Sequence, residues 1–155
     1  MPHKIHLTIE PPFKSRVIPA RVRAAARAAL KHQGAADPGE LSVVITGDEA
    51  LRELNRKFLG EDHATDVLSF PSGEPSPESG SPYFGDIAIS YPRARAQAAD
   101  GRHPVWAELQ LLVVHGVLHL LGHDHAQRQE HDRMWQAQTE ILRKLKAPIT
   151  GPKNF

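Results

Sequence analysis

Apolar and polar residues alternate over residues 3–10, with Ile5, Leu7 and Ile9 set against His6, Thr8 and Glu10. That period of two predicts a half-buried strand. Over residues 15–33 the period lengthens to that of a helix: Val22, Ala25, Ala26, Ala29 and Leu30 share one side, and Gly34 closes the segment. Arg23, Arg27 and Lys31 repeat on the opposite side, a stripe expected to face solvent. Residues 41–46 form a second apolar strand. Asp48 is placed to cap a helix that carries Leu51, Leu54 and Phe58 and stops at Gly60.

The segment TDVLSF (65–70) is a third strand, halted by Pro71, and the Pro-, Ser- and Gly-rich stretch at 71–82 is a loop. FGDIAIS (84–90) is the fourth strand. A short helix follows at 91–100, and Pro104 opens a long one. Residues 126–146 give a last amphipathic helix with Met134, Trp135, Ala137, Ile141, Leu142 and Leu145 as its apolar set. The pattern predicts an α+β fold in a single domain over residues 1–147, with one mixed four-stranded sheet, about five helices and a frayed tail at 148–155.

Composition narrows the chemistry. Cysteine is absent, which removes disulfides, thiolate ligands and a cysteine nucleophile. A net charge of +1 over 155 residues neither demands nor excludes nucleic acid. The opening MPHKIHLTIEPPF has no charged leader followed by an apolar run, so no export signal is expected. The most apolar run, at 109–121, is too short to span a bilayer, so no membrane partner is expected either.

That same run ends in HGVLHLLGHDH, which packs His115, His119, His123 and His125 together. Two imidazoles four apart on a helix project from one face, one turn above the other, and reach a common ion. Gly122 can supply the left-handed residue that ends the helix and brings His125 back from another direction. The set His115, His119 and His125 leaves one corner of a tetrahedral ion for water, as catalytic zinc sites do. A helix continuing past Gly122 would instead offer His115, His119 and His123. The glycine turn favours His125 and leaves His123 to line the cleft or to support a ligand. Asp124 is expected to orient a ligating imidazole, or else to cap the turn. Zinc peptidases carry a glutamate directly after the first histidine as general base. Here that position is Gly116, which weakens the peptidase reading and leaves Glu108, Asp86 or Asp124 as substitutes.

The signature resembles that of the YbeY family of bacterial metallo-endoribonucleases, H-G-x-L-H-L-x-G-x-D-H. Leu54–Asn55 followed by TDVLSF, then GDIAIS, then MWQAQTEIL agree with it in order. The resemblance implies one Zn2+ per chain, held by His115, His119 and His125. It also implies single-strand-specific endoribonuclease activity in maturation of the 16S ribosomal RNA 3′ end and in ribosome quality control. Precursor 16S rRNA and the small ribosomal subunit would be the partners, in the cytoplasm. Relatives commonly carry an arginine after the aromatic that is Phe58 here, and this chain has Leu59, which cannot clamp a phosphate. Arg56 and Lys57 are the nearby cations expected to steer phosphate, and Ser69, Asp86 and His123 are candidates for framing the substrate. Two other readings accompany this one: a zinc peptidase or other small-substrate hydrolase, and a ribosome-assembly factor whose metal is structural.

Overall fold

The computed structural model describes residues 3–124 and 126–149. In chain order these form β1 (Lys4–Ile9), a 3-10 turn (Pro11–Arg16), α1 (Pro19–His32), β2 (Glu40–Thr46), α2 (Asp48–Leu59), β3 (Val67–Pro71), β4 (Tyr83–Ser90), α3 (Tyr91–Gly101), α4 (Val105–Leu120) and α5 (Arg128–Lys144). The helix that bears the histidines is the centre of the molecule. Every residue from Ala107 to Leu118 is buried, as a helix apolar on all sides requires. The sheet lies along one side of α4, and α1, α3 and α5 pack on its others.

The sheet is mixed, in the order β1-β2-β4-β3. β1 pairs with β2 and β2 with β4 in parallel, whereas β3 joins β4 antiparallel as an edge strand. Alternation sorts the side chains by face. Ile5, Leu41, Val43, Ile45, Ile87 and Ile89 enter the large core shared with α1, α4 and α5. On the opposite face Leu68 and Ala88 meet Leu51 of α2, with Val44, Leu54 and Phe70 around them. The α+β fold with a mixed four-stranded sheet and five α-helices is therefore as the sequence pattern indicates.

Several boundaries differ from the sequence reading, each for a local reason. The first helix starts at Pro19 rather than near residue 15, because Pro11 and Pro12 open a separate 3-10 turn that takes up Ser15. Asp48 is not the cap of α2. Gly47 holds that position, and the Asp48 carboxylate instead accepts a 2.6 Å hydrogen bond from Ser90 Oγ. Pro71 does not stop β3 but is its last residue, a place that an edge strand allows because the missing N–H need not serve a ladder. The last helix begins at Arg128, two residues later than expected. Of the tail, Ile149 packs against the core, and residues 150–155 lie outside the described residues.

Ser69, Ile87 and Gly116 meet where α4 crosses the sheet. Ser69 and Ile87 are register partners on β3 and β4, and Ser69 Oγ donates to the Gly116 carbonyl at 3.2 Å. A Cβ on Gly116 would stand 2.9 Å from Ile87 Cγ2. The glycine after His115 therefore serves close helix–sheet approach, not an open metal face. Because Ile87 is β-branched and stiff, Gly116→Val is expected to lower stability by about 1–3 kcal/mol through overpacking. Urea unfolding checks this, and pairing the change with Ile87→Ala should cost less than the sum of the two single losses.

Candidate metal centre and cleft

α4 ends in a Schellman turn. Gly122 N–H donates to His119 O at 3.0 Å and His123 N–H to Leu118 O at 2.9 Å, with Gly122 at φ 99°. This is the six-to-one and five-to-two pattern that a left-handed residue permits. The reversal folds the chain back over its own last turn, so the His123 carbonyl meets the His119 ring. His119 Nδ1 donates to that oxygen at 2.9 Å. A carbonyl only accepts, so Nδ1 carries the proton and Nε2 keeps its lone pair.

His115, one turn earlier and 4% exposed, is fixed from another side. Its Nδ1 donates to Gln138 Oε1 of α5 at 3.1 Å, which again leaves Nε2 as the electron-pair donor. The two Nε2 atoms stand 3.0 Å apart. Two lone pairs so placed ask for a cation between them, and one ion bonded to each at about 2.0–2.1 Å spans that gap. These residues fit a divalent metal, and each has the hydrogen-bonded support that ligating imidazoles normally carry.

Among the described residues, no third His, Cys, Asp or Glu completes a ligand group. The expected third ligand, His125, lies outside the described residues. The alternative set with His123 does not form: its Nε2 bonds Oε1 of Gln33, the residue that follows α1, at 2.6 Å, and desolvation holds its ring pKa below the usual value. His123 thus supports His119 through its backbone and does not line the cleft. Asp124 is exposed, and His115 and His119 draw their support from Gln138 and the His123 carbonyl. The sequence reading missed Gln138, although it lies in MWQAQTEIL. Its signal was a buried polar residue on the apolar face of the last helix.

His115 and His119 border a cleft of about 730 Å3 whose walls come from β3, the segment after α2, and α3. Ser69 lines it as expected, and so does Leu59. Arg56 and Lys57 do not. They border a groove on the other side of α2, where Arg56 pairs with Glu53 at 2.7 Å. Asp86 points to the opposite sheet face and accepts from Tyr83 Oη at 2.6 Å. Glu108, another possible base, is fully buried two turns before His115 and bonds His103 Nε2 at 2.6 Å. The cleft contains polar groups with no spacing signal in the sequence: Asn55, Glu61, His63, Asp66, Arg93 and Gln97. Buried Asn55 donates to the His63 carbonyl at 3.0 Å and so anchors that wall.

The α+β architecture and the cleft bordered by paired histidines define the class: a hydrolase-like domain built around a buried helix that carries two converging imidazoles. Comparison with known proteins supplies the family. Residues 10–146 match the family described as Endoribonuclease YbeY, and the chain belongs to it. The Endoribonuclease YbeY of Dehalococcoides mccartyi strain CBDB1 is 41% identical over 134 residues, covering 79% of this chain and 81% of that protein. That of Anaeromyxobacter sp. strain Fw109-5 is 43% identical over 139 residues, 90% of this chain and 70% of the relative. That of Thermus thermophilus is 43% identical over 122 residues, 79% and 87% of the two chains. A solution structure from Thermotoga maritima shares the fold, with a TM-score of 0.62 at 24% identity over 91% of this chain and 88% of that one.

Removing the acceptor from the His115 support is expected to weaken the site without dismantling it. Gln138→Leu should lower zinc affinity about 10–100-fold, measured by competition with a chromophoric chelator, and Gln138→Glu should retain most of it. The His63 ring gives a pH marker for the cleft wall. Its Nδ1 faces the Ala64 carbonyl at 3.2 Å and its Nε2 the Glu61 carboxylate at 2.7 Å. Both contacts want an N–H, which only the imidazolium supplies, so first the Ala64 carbonyl and then Glu61 raise its pKa above 6.5. The positive charge is present below that raised midpoint and lost as pH rises through it. An NMR titration should find the midpoint above 6.5, and Glu61→Gln should move it down.

Proposed function

We propose that this chain is a zinc-dependent endoribonuclease that cuts single-stranded RNA. Its place is in maturation of the 16S ribosomal RNA 3′ end and in ribosome quality control, in the cytoplasm and on the small ribosomal subunit. The observation that carries the reading is the convergence of His115 Nε2 and His119 Nε2, 3.0 Å apart, at the border of a cleft about 730 Å3 in volume. Family membership supports the phosphodiester chemistry. The ribosomal assignment rests on the resemblance of the HGVLHLLGHDH signature and its accompanying segments, and the single-strand preference rests there too.

A zinc ion held by His115, His119 and His125 supplies Lewis acidity and lowers the pKa of water towards neutrality. The chain's own residues do the rest. Gln138 and the His123 carbonyl keep each imidazole in the tautomer that offers Nε2. Ser69 Oγ and the Gly116 carbonyl tie the edge strand to the ligand helix, which holds the cleft wall against the metal centre. A peptidase role would need a general base beside the first ligand. A side chain at position 116 would instead run into Ile87, so the backbone that packs the helix on the sheet denies that base its place.

The test is incubation of zinc-loaded protein with labelled single-stranded RNA and, separately, with casein, beside His119→Ala. RNA cleavage by the wild type, reduced by at least about a hundredfold in the variant as expected for loss of a metal-dependent step, supports the proposal. Casein cleavage alone would replace it with a peptidase. Cleavage of neither substrate with retained ribosome co-sedimentation would leave a binding factor, and RNA cleavage undiminished in the variant would point to a contaminant.

A further inference from the structure

We infer that Arg93 is the side chain that grips substrate phosphate in this cleft. The inference rests on the RNA reading above and names the residue that reading lacks. A polyanion entering the cleft meets two carboxylates, Glu61 and Asp66, and an apolar rim at Leu59, which is 56% exposed. Arg56 and Lys57, the cations singled out from sequence, border the other groove. Among the described residues lining the cleft, Arg93 is the one lysine or arginine.

Its geometry suits the task. Arg93 lies in the first turn of α3, where its backbone N–H donates to the Ser90 cap at 3.3 Å, so its Cα is fixed. The side chain is 45% exposed and its Nε stands 3.5 Å from Asp48 Oδ1, long for a hydrogen bond. Asp48 is itself held by the 2.6 Å bond from Ser90 Oγ, so it orients the guanidinium without enclosing it. A planar fork of five N–H groups can accept a phosphate while keeping that contact. Asp66, an anion that lines the same cleft, is occupied by the Val67 N–H at 2.8 Å and by Gln97 Nε2 at 3.2 Å. The nucleic-acid backbone is therefore expected to run along the α3 side of the cleft, past Arg93, with the metal pair beyond it.

The experiment measures anisotropy of a short labelled single-stranded RNA with zinc-loaded protein across a salt series, and cleavage of the same RNA. Variants are Arg93→Ala, Arg93→Lys and Arg93→Ala combined with Leu59→Arg, each checked for an unchanged melting temperature. Arg93→Ala is expected to bind about tenfold more weakly and to flatten the plot of log K against log salt by about 0.7, the value for one phosphate contact on a single strand. Arg93→Lys should keep the slope with intermediate affinity, and Leu59→Arg should restore both, because it returns a cation to the same cleft. A merely structural role would leave the slope alone. If the wild type binds and cuts RNA while Arg93→Ala binds with the same affinity and slope, the inference fails and the proposed function stands. If the wild type neither binds nor cuts single-stranded RNA, both fall.

Discussion

The hydrogen bond from His119 Nδ1 to the His123 carbonyl joins the end of a helix to the chemistry of the site. It forms only because the chain reverses at Gly122, whose φ of 99° is costly for a side chain with a Cβ. The same reversal satisfies two carbonyls of the last helical turn, those of His119 and Leu118. One local conformation thus terminates α4, fixes a tautomer and aims a ring nitrogen. His115 receives the equivalent support from Gln138, seventeen residues of α5 being needed to deliver a single acceptor. An unpaired N–H at so buried a position would cost about 1–3 kcal/mol, so the last helix belongs to the metal centre as much as to the core.

Much of this was legible in the sequence because it is written in period and spacing. The first strand follows from alternation, the other three from short apolar segments, and α4 from its unbroken apolar character. The paired histidines declare themselves by a separation of four, and the turn by Gly122. What escaped the sequence depends on contacts between distant segments. Gln138 stands out in the sequence only as a polar residue on the apolar face of α5, and the partner that gives it a role, His115 at 3.1 Å, lies on another helix. Gly116 is notable in the sequence only for the glutamate it lacks, yet its role is set by Ile87, twenty-nine residues earlier on a strand. Arg56 and Lys57 looked close to the cleft because they neighbour Leu59 in the chain. Lys57, two residues before Leu59, projects from a different side of α2, whereas Arg56, three residues before it, borders the other groove with Glu53, its ion-pair partner.

The distribution of charge around the cleft has a corresponding logic. The ligand helix is buried and neutral apart from its histidines and the His103–Glu108 pair at its beginning. The polar groups that would touch a substrate sit on more exposed elements: the end of α2, the segment after it, and the first turns of α3. The Ala64 carbonyl and then the Glu61 carboxylate raise the pKa of His63 above the ordinary imidazole value, so the wall on that side loses charge as pH rises through that raised midpoint. A guanidinium, by contrast, is a permanent cation. The two cationic positions therefore differ in kind, one pH-dependent and exposed, the other permanent and anchored at a helix start.

That separation explains how a family signature can coexist with an altered rim. The histidine pair depends on the buried helix α4, on the buried Gln138 of α5 and on the reversal at Gly122, and within the core a substitution disturbs packing as well as chemistry. The rim depends on side chains that project into solvent from fixed backbones, and one cation there can be exchanged for another on a different element with no change in the sheet or the ligand helix. Leu59 and Arg93 line the same cleft from α2 and α3. A phosphate responds to the position of a charge rather than to the element that bears it, since the attraction follows distance and dielectric alone. A cleft with an apolar side chain on one wall can thus still hold a phosphate, provided that another wall supplies a guanidinium within reach.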